Sequence, residues 1–150
     1  MTATVKILTS VHGRRLGLSA SGKLVVNGKT ALAADDGGVV VKTQGTPGTL
    51  NATGTLTAAL LSTGIVTSTT AAAVAATLDT GTAMDTALAA DVAIGDCFDW
   101  AAIATGANAF TVTASTGHTI VGSGVVATGT TKQFRSKRAA AATWVTYNLG

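Results

Sequence analysis

Apolar and polar residues alternate in short runs along most of this chain, and such alternation is typical of half-buried β-strands. In "FTVT", Phe110 and Val112 alternate with threonine, and in "CFDW" Phe98 and Trp100 alternate with a cysteine and an aspartate. Glycine-containing turns separate these runs at short intervals. The pattern therefore predicts an all-β body, folded as a small β-sandwich or barrel.

One segment, "TGTAMDTALAAD", has a helical pattern instead. Met84 and Leu88 share one helix face, while Thr82 and Asp85 have the spacing of a capping box. The body is thus predicted to contain one short helix. The stretches "LTAALLS" and "GIVTSTT" predict strands. In "AAAVAATL", alanine favours a helix and the flanking threonines favour a strand, so both alternatives stay open.

The N-terminal part of the chain predicts short strands and tight turns. "TVKILTS" alternates, Asn27 and Gly28 form a hairpin signal within "KLVVNGK", and residues 35–38 form a turn before a strand at 39–41. The segment "QGTPGTLNATG" has the glycine, threonine and proline content of a linker. We therefore predict three parts: an extended, β-hairpin-containing N-terminal arm (1–45), a linker (46–54) and a β-rich body (55–150).

The closing segment contains "KQFRSKR" and "TWVTYNLG", which predict two strands joined by an alanine-rich loop at 139–142. Period-two geometry puts Phe134 on the inner face and Arg135 and Lys137 on the outer face. Basic residues interleaved with aromatic residues can bind nucleic acid, but stacking on bases needs exposed rings. Because Phe134 is predicted to lie inside, we expect no nucleic-acid partner.

Composition changes the picture of the core. Alanine, threonine and glycine together make up half of the 150 residues, and charged residues make up 11% where about 25% is usual. Small side chains bury little apolar surface, and small domains are short of buried surface already. We therefore expect the protomer to complete its core by associating with copies of itself.

The charges are segregated along the chain. Residues 1–45 carry six basic and two acidic residues, residues 46–131 carry five acidic and no basic residues, and residues 132–150 carry four basic residues. A neutral-to-acidic middle with basic ends suits assembly on an acidic surface, or contact between the end of one protomer and the body of another.

Residues that could carry catalysis or bind a metal are few and scattered. His12 and His118 are the two histidines, Cys97 is the single cysteine, and the chain has no glutamate. Zinc sites need three or four ligands and calcium loops end in glutamate, so neither metal is predicted. We interpret both histidines as turn or surface residues and Asp85 as a helix cap. No nucleophile motif is present, and we predict neither an enzyme nor a cofactor.

No signal peptide or membrane span is predicted. The N-terminus lacks a continuous apolar region. The longest charge-free run, Thr43 to Leu78, is interrupted by polar residues, glycine and proline. We therefore expect no membrane partner.

The segment "HGRRLGL" is the most distinctive polar motif. Arg14 and Arg15 between two glycines could form bidentate contacts with carboxylates of a partner. A solvated loop explains the same residues equally well. The residues predicted to contact a partner are Val5, Lys6, Ile7, His12, Arg14, Arg15, Arg135 and Lys137.

The second half of the chain resembles a known group of proteins. The pieces that carry the resemblance are "LDTGTAMDTALAA", "GDCFDWAAIATGANAFTVTASTGHTIVG", "KQFRSKR" and "TWVTYNLG". Over residues 64–150 they resemble the C-terminal β-domain of small structural proteins of tailed bacteriophages, which act as head decoration (cement) proteins. The opening "VKILTSVHGRRLGL" is similar to the N-termini of such proteins. Asp79 stands where many relatives carry proline.

The resemblance implies a non-enzymatic protein of the virion, made in the host cytoplasm. Such proteins bind the major capsid protein on the outer surface of the head, commonly as homotrimers, and stabilise the shell. The alternative is a head-fibre or tail-associated module that recognises a host glycan or receptor. That alternative needs exposed aromatic side chains, for which Trp144 and Tyr147 are candidates because Trp100 is predicted to lie in the core.

Overall fold

The computed structural model describes four strands before residue 42 and the segments 44–88 and 91–150. The chain divides into two compact units, residues 1–44 and residues 45–150. Side chains are described from residue 44 onward, apart from residues 89 and 90.

The first unit contains a four-stranded antiparallel sheet in the order β1-β2-β3-β4. Its strands are β1 (Leu16–Leu18), β2 (Leu24–Val26), β3 (Lys29–Ala34) and β4 (Val40–Val41). The hairpin predicted at Asn27 and Gly28 is confirmed, because β2 and β3 pair on either side of those residues. The strand predicted in "TVKILTS" lies outside the described residues.

The second unit is mostly β, as predicted, with two helices and ten strands in its described part. In chain order the elements are β5 (Gly48–Thr49), β6 (Gly54–Leu56), α1 (Ala58–Ser62), β7 (Ile65–Ser68), β8 (Val74–Leu78), α2 (Gly81–Leu88), β9 (Cys97–Ala104), β10 (Phe110–Thr113), β11 (His118–Val121), β12 (Val125–Val126), β13 (Thr130–Ala140) and β14 (Thr143–Asn148).

These strands form a six-stranded sheet in the order β11-β14-β13-β9-β7-β5 and a four-stranded sheet in the order β12-β10-β8-β6. From β5 to β12, successive strands alternate between the two sheets. Neighbours β5, β7 and β9 are parallel, and so are β6, β8 and β10. The chain therefore winds as a coil that adds one strand to each sheet per turn. Strand β13 then pairs antiparallel with both β9 and β14.

One hydrophobic cluster draws on both sheets and both helices. Its largest fully buried apolar side chains include Trp144, Phe110 and Phe134, and four of its members are alanines. Trp100 stacks on Phe134 with ring centroids 4.6 Å apart. The predicted inward positions of Trp100, Phe110 and Phe134 are confirmed by their burial.

The predicted helix in "TGTAMDTALAAD" is confirmed as α2, but its predicted cap is wrong. The helix begins at Gly81, and the Thr80 hydroxyl accepts a hydrogen bond from the Ala83 amide at 3.2 Å. The cap therefore precedes the predicted residue, Thr82, by two positions. Asp85 lies within the helix and accepts hydrogen bonds from other parts of the chain.

The strand predicted in "LTAALLS" is also wrong, because this segment is helix α1. Thr57 caps the helix by accepting from the Leu60 amide at 3.3 Å, and Ala58 and Leu61, three residues apart, are buried. That spacing and the alanine and leucine content favour a helix over the alternation expected of a strand.

Two further segments are strands in the structure. "AAAVAATL", for which both alternatives were open, contains β8, where Val74, Ala76 and Leu78 are buried in alternation. The segment predicted as a linker, 46–54, contains β5, which pairs in parallel with β7. These residues belong to the second compact unit.

Gly81 lets the start of α2 approach two turns very closely. A Cβ atom at this position would lie 2.0 Å from the Ala142 carbonyl oxygen and 2.5 Å from that of Gly117. Neither carbonyl group can move away from such a Cβ atom unless the β13–β14 turn or the turn before β11 moves with it. Glycine is therefore required at this position by space.

We predict that G81A destabilises the protein by about 3 kcal/mol, measured by urea unfolding, because the added methyl overpacks two backbones. Without that contact, alanine in a helix would stabilise by up to about 1 kcal/mol, so the sign of the change is decisive. G45A is the matched control, since its nearest atoms would be 3.8 Å away. Its effect should stay within about 0.5 kcal/mol.

Candidate functional site

The outward face of the six-stranded sheet carries the two predicted contact residues that the structure describes. Along β13, Phe134 and Ser136 are fully buried, while Gln133, Arg135 and Lys137 are exposed. The prediction that the basic residues lie on the outer face is confirmed. The same alternation in the neighbouring strands makes this face a continuous surface.

The strand register arranges this face in rows. One row contains Thr119, Val145, Lys137 and Cys97, and the next contains Val121, Tyr147, Arg135 and Asp99. A third row contains Gln133, Ala101 and Ile65. Most of these side chains are uncharged, and the charged ones, Lys137, Arg135 and Asp99, lie on the two central strands of the sheet.

Arg135 and Asp99 form a bidentate ion pair in the middle of the face. The Arg135 Nε donates to Asp99 Oδ1 at 2.7 Å, and Nη2 donates to Oδ2 at 2.8 Å. The side chains are 47% and 56% exposed. The hydrogen bonds that Arg135 donates to Asp99 raise the pKa of Arg135 above its usual value. Because both groups are satisfied, this part of the face could be covered without leaving an unpaired charge.

A shallow depression of about 320 Å³ lies beside this ion pair. It is lined by Gly64, Ile65, Asp99, Trp100, Ala101 and Gln133. The indole of Trp100 is 2% exposed and donates to the buried Ser136 hydroxyl, so it offers no ring to a ligand. The depression presents a paired carboxylate, an amide and small apolar groups.

Apolar residues lie at the β11 edge of the same face. Val121 is 51% exposed and Leu149 is 48% exposed. Val121 lies opposite the half-buried Tyr147 in the register, and Leu149 follows Tyr147 by two residues on β14 and its extension. Exposed large apolar residues beside an aromatic ring are typical of a contact surface.

Asp85 joins three parts of the chain beneath this surface. Its carboxylate accepts from Arg138 Nε at 2.9 Å and Nη2 at 2.7 Å, from the Trp144 indole at 2.8 Å and from the Ala142 amide at 2.8 Å. Arg138 also donates to the Val92 carbonyl at 2.9 Å. Asp85 was predicted to cap a helix, and that role is wrong because all these donors lie far away in sequence.

The same contacts keep Asp85 ionised. Hydrogen bonds from Arg138, followed by the one from Ala142, lower its pKa to about 2, although partial burial opposes the shift. A carboxylate with so low a pKa is a poor general acid or base near neutral pH. Asp85 therefore has a structural role.

His118 was predicted to lie in a turn or on the surface, and that prediction is wrong. Its side chain is fully buried, with Nδ1 3.0 Å from the Asp79 carbonyl oxygen and Nε2 2.8 Å from the Thr146 hydroxyl. In "HTIV", His118 and Ile120 lie on the same face, and the strand period could have indicated burial.

The other predicted contact residues, Val5, Lys6, Ile7, His12, Arg14 and Arg15, lie outside the described residues. Within 44–88 and 91–150, no three His, Cys, Asp or Glu side chains are grouped as a metal site would need. In the part of the chain that the structure describes, no helix is long and apolar enough to cross a membrane.

Comparison with known proteins finds no matching family model, no matching curated protein and no matching solved structure.

We predict that D85N lowers the urea midpoint at pH 7 much more than D99N does. The D85N amide loses the charge paired with Arg138 and turns an NH2 group toward donors, whereas Asp99 belongs to an exposed pair of small effect. Equal midpoints for the two variants would contradict this role of Asp85.

The Asp85 carboxylate should also affect stability in acid. Its pKa of about 2 in the folded protein is below its ordinary value of 3.8. Its stabilising contribution is therefore complete above pH 3.8 and is lost as the pH falls toward 2. Between these pH values wild type should lose more stability than D85N, measured by urea unfolding at each pH.

Proposed function

We propose that this chain is a non-enzymatic structural protein of a bacteriophage virion, a decoration protein that binds the outer surface of the head as a trimer and stabilises the shell. The resemblance of residues 64–150 to phage decoration proteins supports the identity of the partner, the major capsid protein. The observation that carries the proposal is the outward face of the six-stranded sheet, with its self-neutralised ion pair and its apolar edge.

We further propose that the body is a β-sandwich and that residues 1–45 act as an arm. A single hydrophobic cluster, to which both sheets contribute side chains, supports the sandwich. The division of the chain into two compact units supports a separate role for the N-terminal part. In this proposal Arg14 and Arg15 bind carboxylates of a neighbouring subunit or of the shell.

The size of the outward face fits a role that depends on repeated contacts. Six strands of 2 to 11 residues, spaced about 4.8 Å apart and on average roughly 20 Å long, present an area of about 500 Å². A standard stable interface buries about 800 Å² per partner. One such face is smaller than that area. An oligomer that makes several such contacts with a shell at once binds more tightly than a single face does, because of avidity.

A glycan-binding or receptor-binding module has less support from the described residues. Trp144 is fully buried and Trp100 is 2% exposed, so neither ring can stack on a sugar. Tyr147 is half-buried on the outward face. Binding of host polysaccharide to the purified chain, detected by calorimetry, would revive this alternative.

We predict that A101R abolishes binding to phage heads that lack this protein, measured by co-sedimentation. Ala101 lies in the middle of the outward face and lines the depression, so arginine there adds a bulky, unpaired charge to the contact. The matched control is A75R, which puts the same side chain at an exposed alanine of β8 in the other sheet. A75R should bind as wild type does.

The same pair of variants separates contact with the shell from contact between subunits. If A101R remains a folded oligomer of wild-type mass but does not bind heads, the face contacts the shell. If A101R becomes a folded monomer, the face joins subunits. Wild-type binding by A101R would overturn the assignment of this face, and equal loss of binding by A75R would show that the effect is not specific to it.

A further inference from the structure

A continuous chain of hydrogen bonds crosses the core of the body. The Trp100 indole lies 3.0 Å from the Ser136 hydroxyl, Ser136 lies 2.8 Å from the Thr146 hydroxyl, and Thr146 lies 2.8 Å from His118 Nε2. At the far end His118 Nδ1 lies 3.0 Å from the Asp79 carbonyl oxygen. Ser136, Thr146 and His118 are all fully buried, so water does not share these bonds.

The two ends of this chain fix the direction of every hydrogen bond in it. A carbonyl oxygen can only accept, so His118 Nδ1 carries the hydrogen that is donated to Asp79. In a neutral imidazole Nε2 is then an acceptor, and the Thr146 hydroxyl donates to it. The Trp100 indole can only donate, so Ser136 accepts from Trp100 and donates to Thr146. Each hydrogen bond is therefore donated in the same direction, from Trp100 toward Asp79, and no donor is left without an acceptor.

Protonation of His118 breaks this order. Both imidazole nitrogens then donate, so Nε2 turns Thr146 from a donor into an acceptor. Only one of the Ser136 and Thr146 hydroxyls can then donate to the other, because neither can donate to the charged imidazole or to the Trp100 indole. The remaining hydroxyl hydrogen has no acceptor among these fully buried groups, and an unsatisfied buried donor is costly.

The charged groups around His118 only partly favour the protonated form. Asp79, in the turn between β8 and α2, attracts a positive imidazole, but its carboxylate also accepts from the Thr80 amide at 3.1 Å and the Ala58 amide at 3.4 Å. On the β14 side, Asp85 is paired with Arg138, and Trp144 lies between that pair and His118, 6.4 Å from the imidazole by ring centroids. Burial outweighs Asp79 and lowers the pKa of His118 below its usual value of 6.5.

We propose that His118 is a pH-sensitive switch that holds the β11 edge of the six-stranded sheet in place when neutral and releases it when protonated. Strand β11 has one strand neighbour, β14, and its preceding turn is held by the same Asp79 carbonyl, which accepts from the Ser115 hydroxyl at 2.9 Å. Opening of β11 relieves the unsatisfied hydroxyl and exposes the charged imidazole to water, so protonation weakens the edge that carries the exposed Val121. The inference concerns the body alone and does not rest on the proposed function.

The sign of the pH dependence follows from the lowered pKa. The unfolded chain binds the His118 proton more readily than the folded chain, so stability is complete above about pH 6.5 and falls as the solution becomes more acidic. One extra proton bound on unfolding lowers the folding equilibrium constant by at most about tenfold per pH unit. Most carboxylates titrate near pH 4 and do not contribute between pH 7 and pH 5.

The first test is urea unfolding of the full chain between pH 7 and pH 5 for wild type, H118Q and H12Q. His12 and His118 are the two histidines of the chain, so H12Q is the matched control. Wild type and H12Q should lose stability toward pH 5, by up to about tenfold in the folding constant per unit, and H118Q should show a flat profile. A flat wild-type profile, or an unchanged slope in H118Q, overturns the proposal.

NMR of wild-type protein tests the switch even if H118Q fails to fold. The nitrogen shifts of neutral His118 should show the hydrogen on Nδ1, and the imidazole should titrate below pH 6.5. Amide exchange, corrected for intrinsic rates, should show β11 losing protection from pH 7 to pH 5.5 by a larger factor than β9 does. A hydrogen on Nε2, titration at or above pH 6.5, or equal loss of protection in both strands overturns the proposal.

Discussion

The carboxylate of Asp85 holds together the region on which the rest of the body depends. It accepts four hydrogen bonds from Arg138, Trp144 and the Ala142 backbone, and so ties helix α2 to β13, β14 and the turn between them. Gly81 brings the start of α2 against the same turn at a distance that no side chain permits. The position of the largest buried ring, Trp144, is thus fixed by its hydrogen bond to Asp85 and by the steric contact of Gly81 with the turn before β14.

This arrangement follows from a composition that is poor in large apolar residues. Alanines occupy core positions in α1, β8 and β9, where larger residues would bury more surface. Polar side chains fill part of the remaining interior, and they are tolerated because they are satisfied. Among the described residues, no buried side-chain nitrogen or oxygen lacks a hydrogen-bond partner. Specific polar contacts therefore contribute to the stability of a core that buries little apolar surface.

The sequence predicted those features that depend on local alternation. Burial of Trp100, Phe110 and Phe134, and exposure of Arg135 and Lys137, follow from the period of two within single strands. Strand order could not be predicted in this way, because alternation is the same for parallel and antiparallel neighbours. The coil from β5 to β10 became visible only in the pairing of residues distant in sequence.

The candidate site was predicted only in part, for the same reason. Arg135 and Lys137 were identified from their strand, but Asp99, which pairs with Arg135, is 36 residues away. Asp85 matched a local capping pattern, while its real partners are 53 to 59 residues distant. His118 resembled a turn residue because glycine precedes it, and the Thr146 hydroxyl that satisfies it lies on another strand.

We propose that a chain with so thin a core works by association, with copies of itself and with a shell. The most direct test is the native mass of the purified, full-length chain at low micromolar concentration, by light scattering or native mass spectrometry. We expect a stable species of three times 14.7 kDa. A cooperatively folded monomer under the same conditions would contradict it.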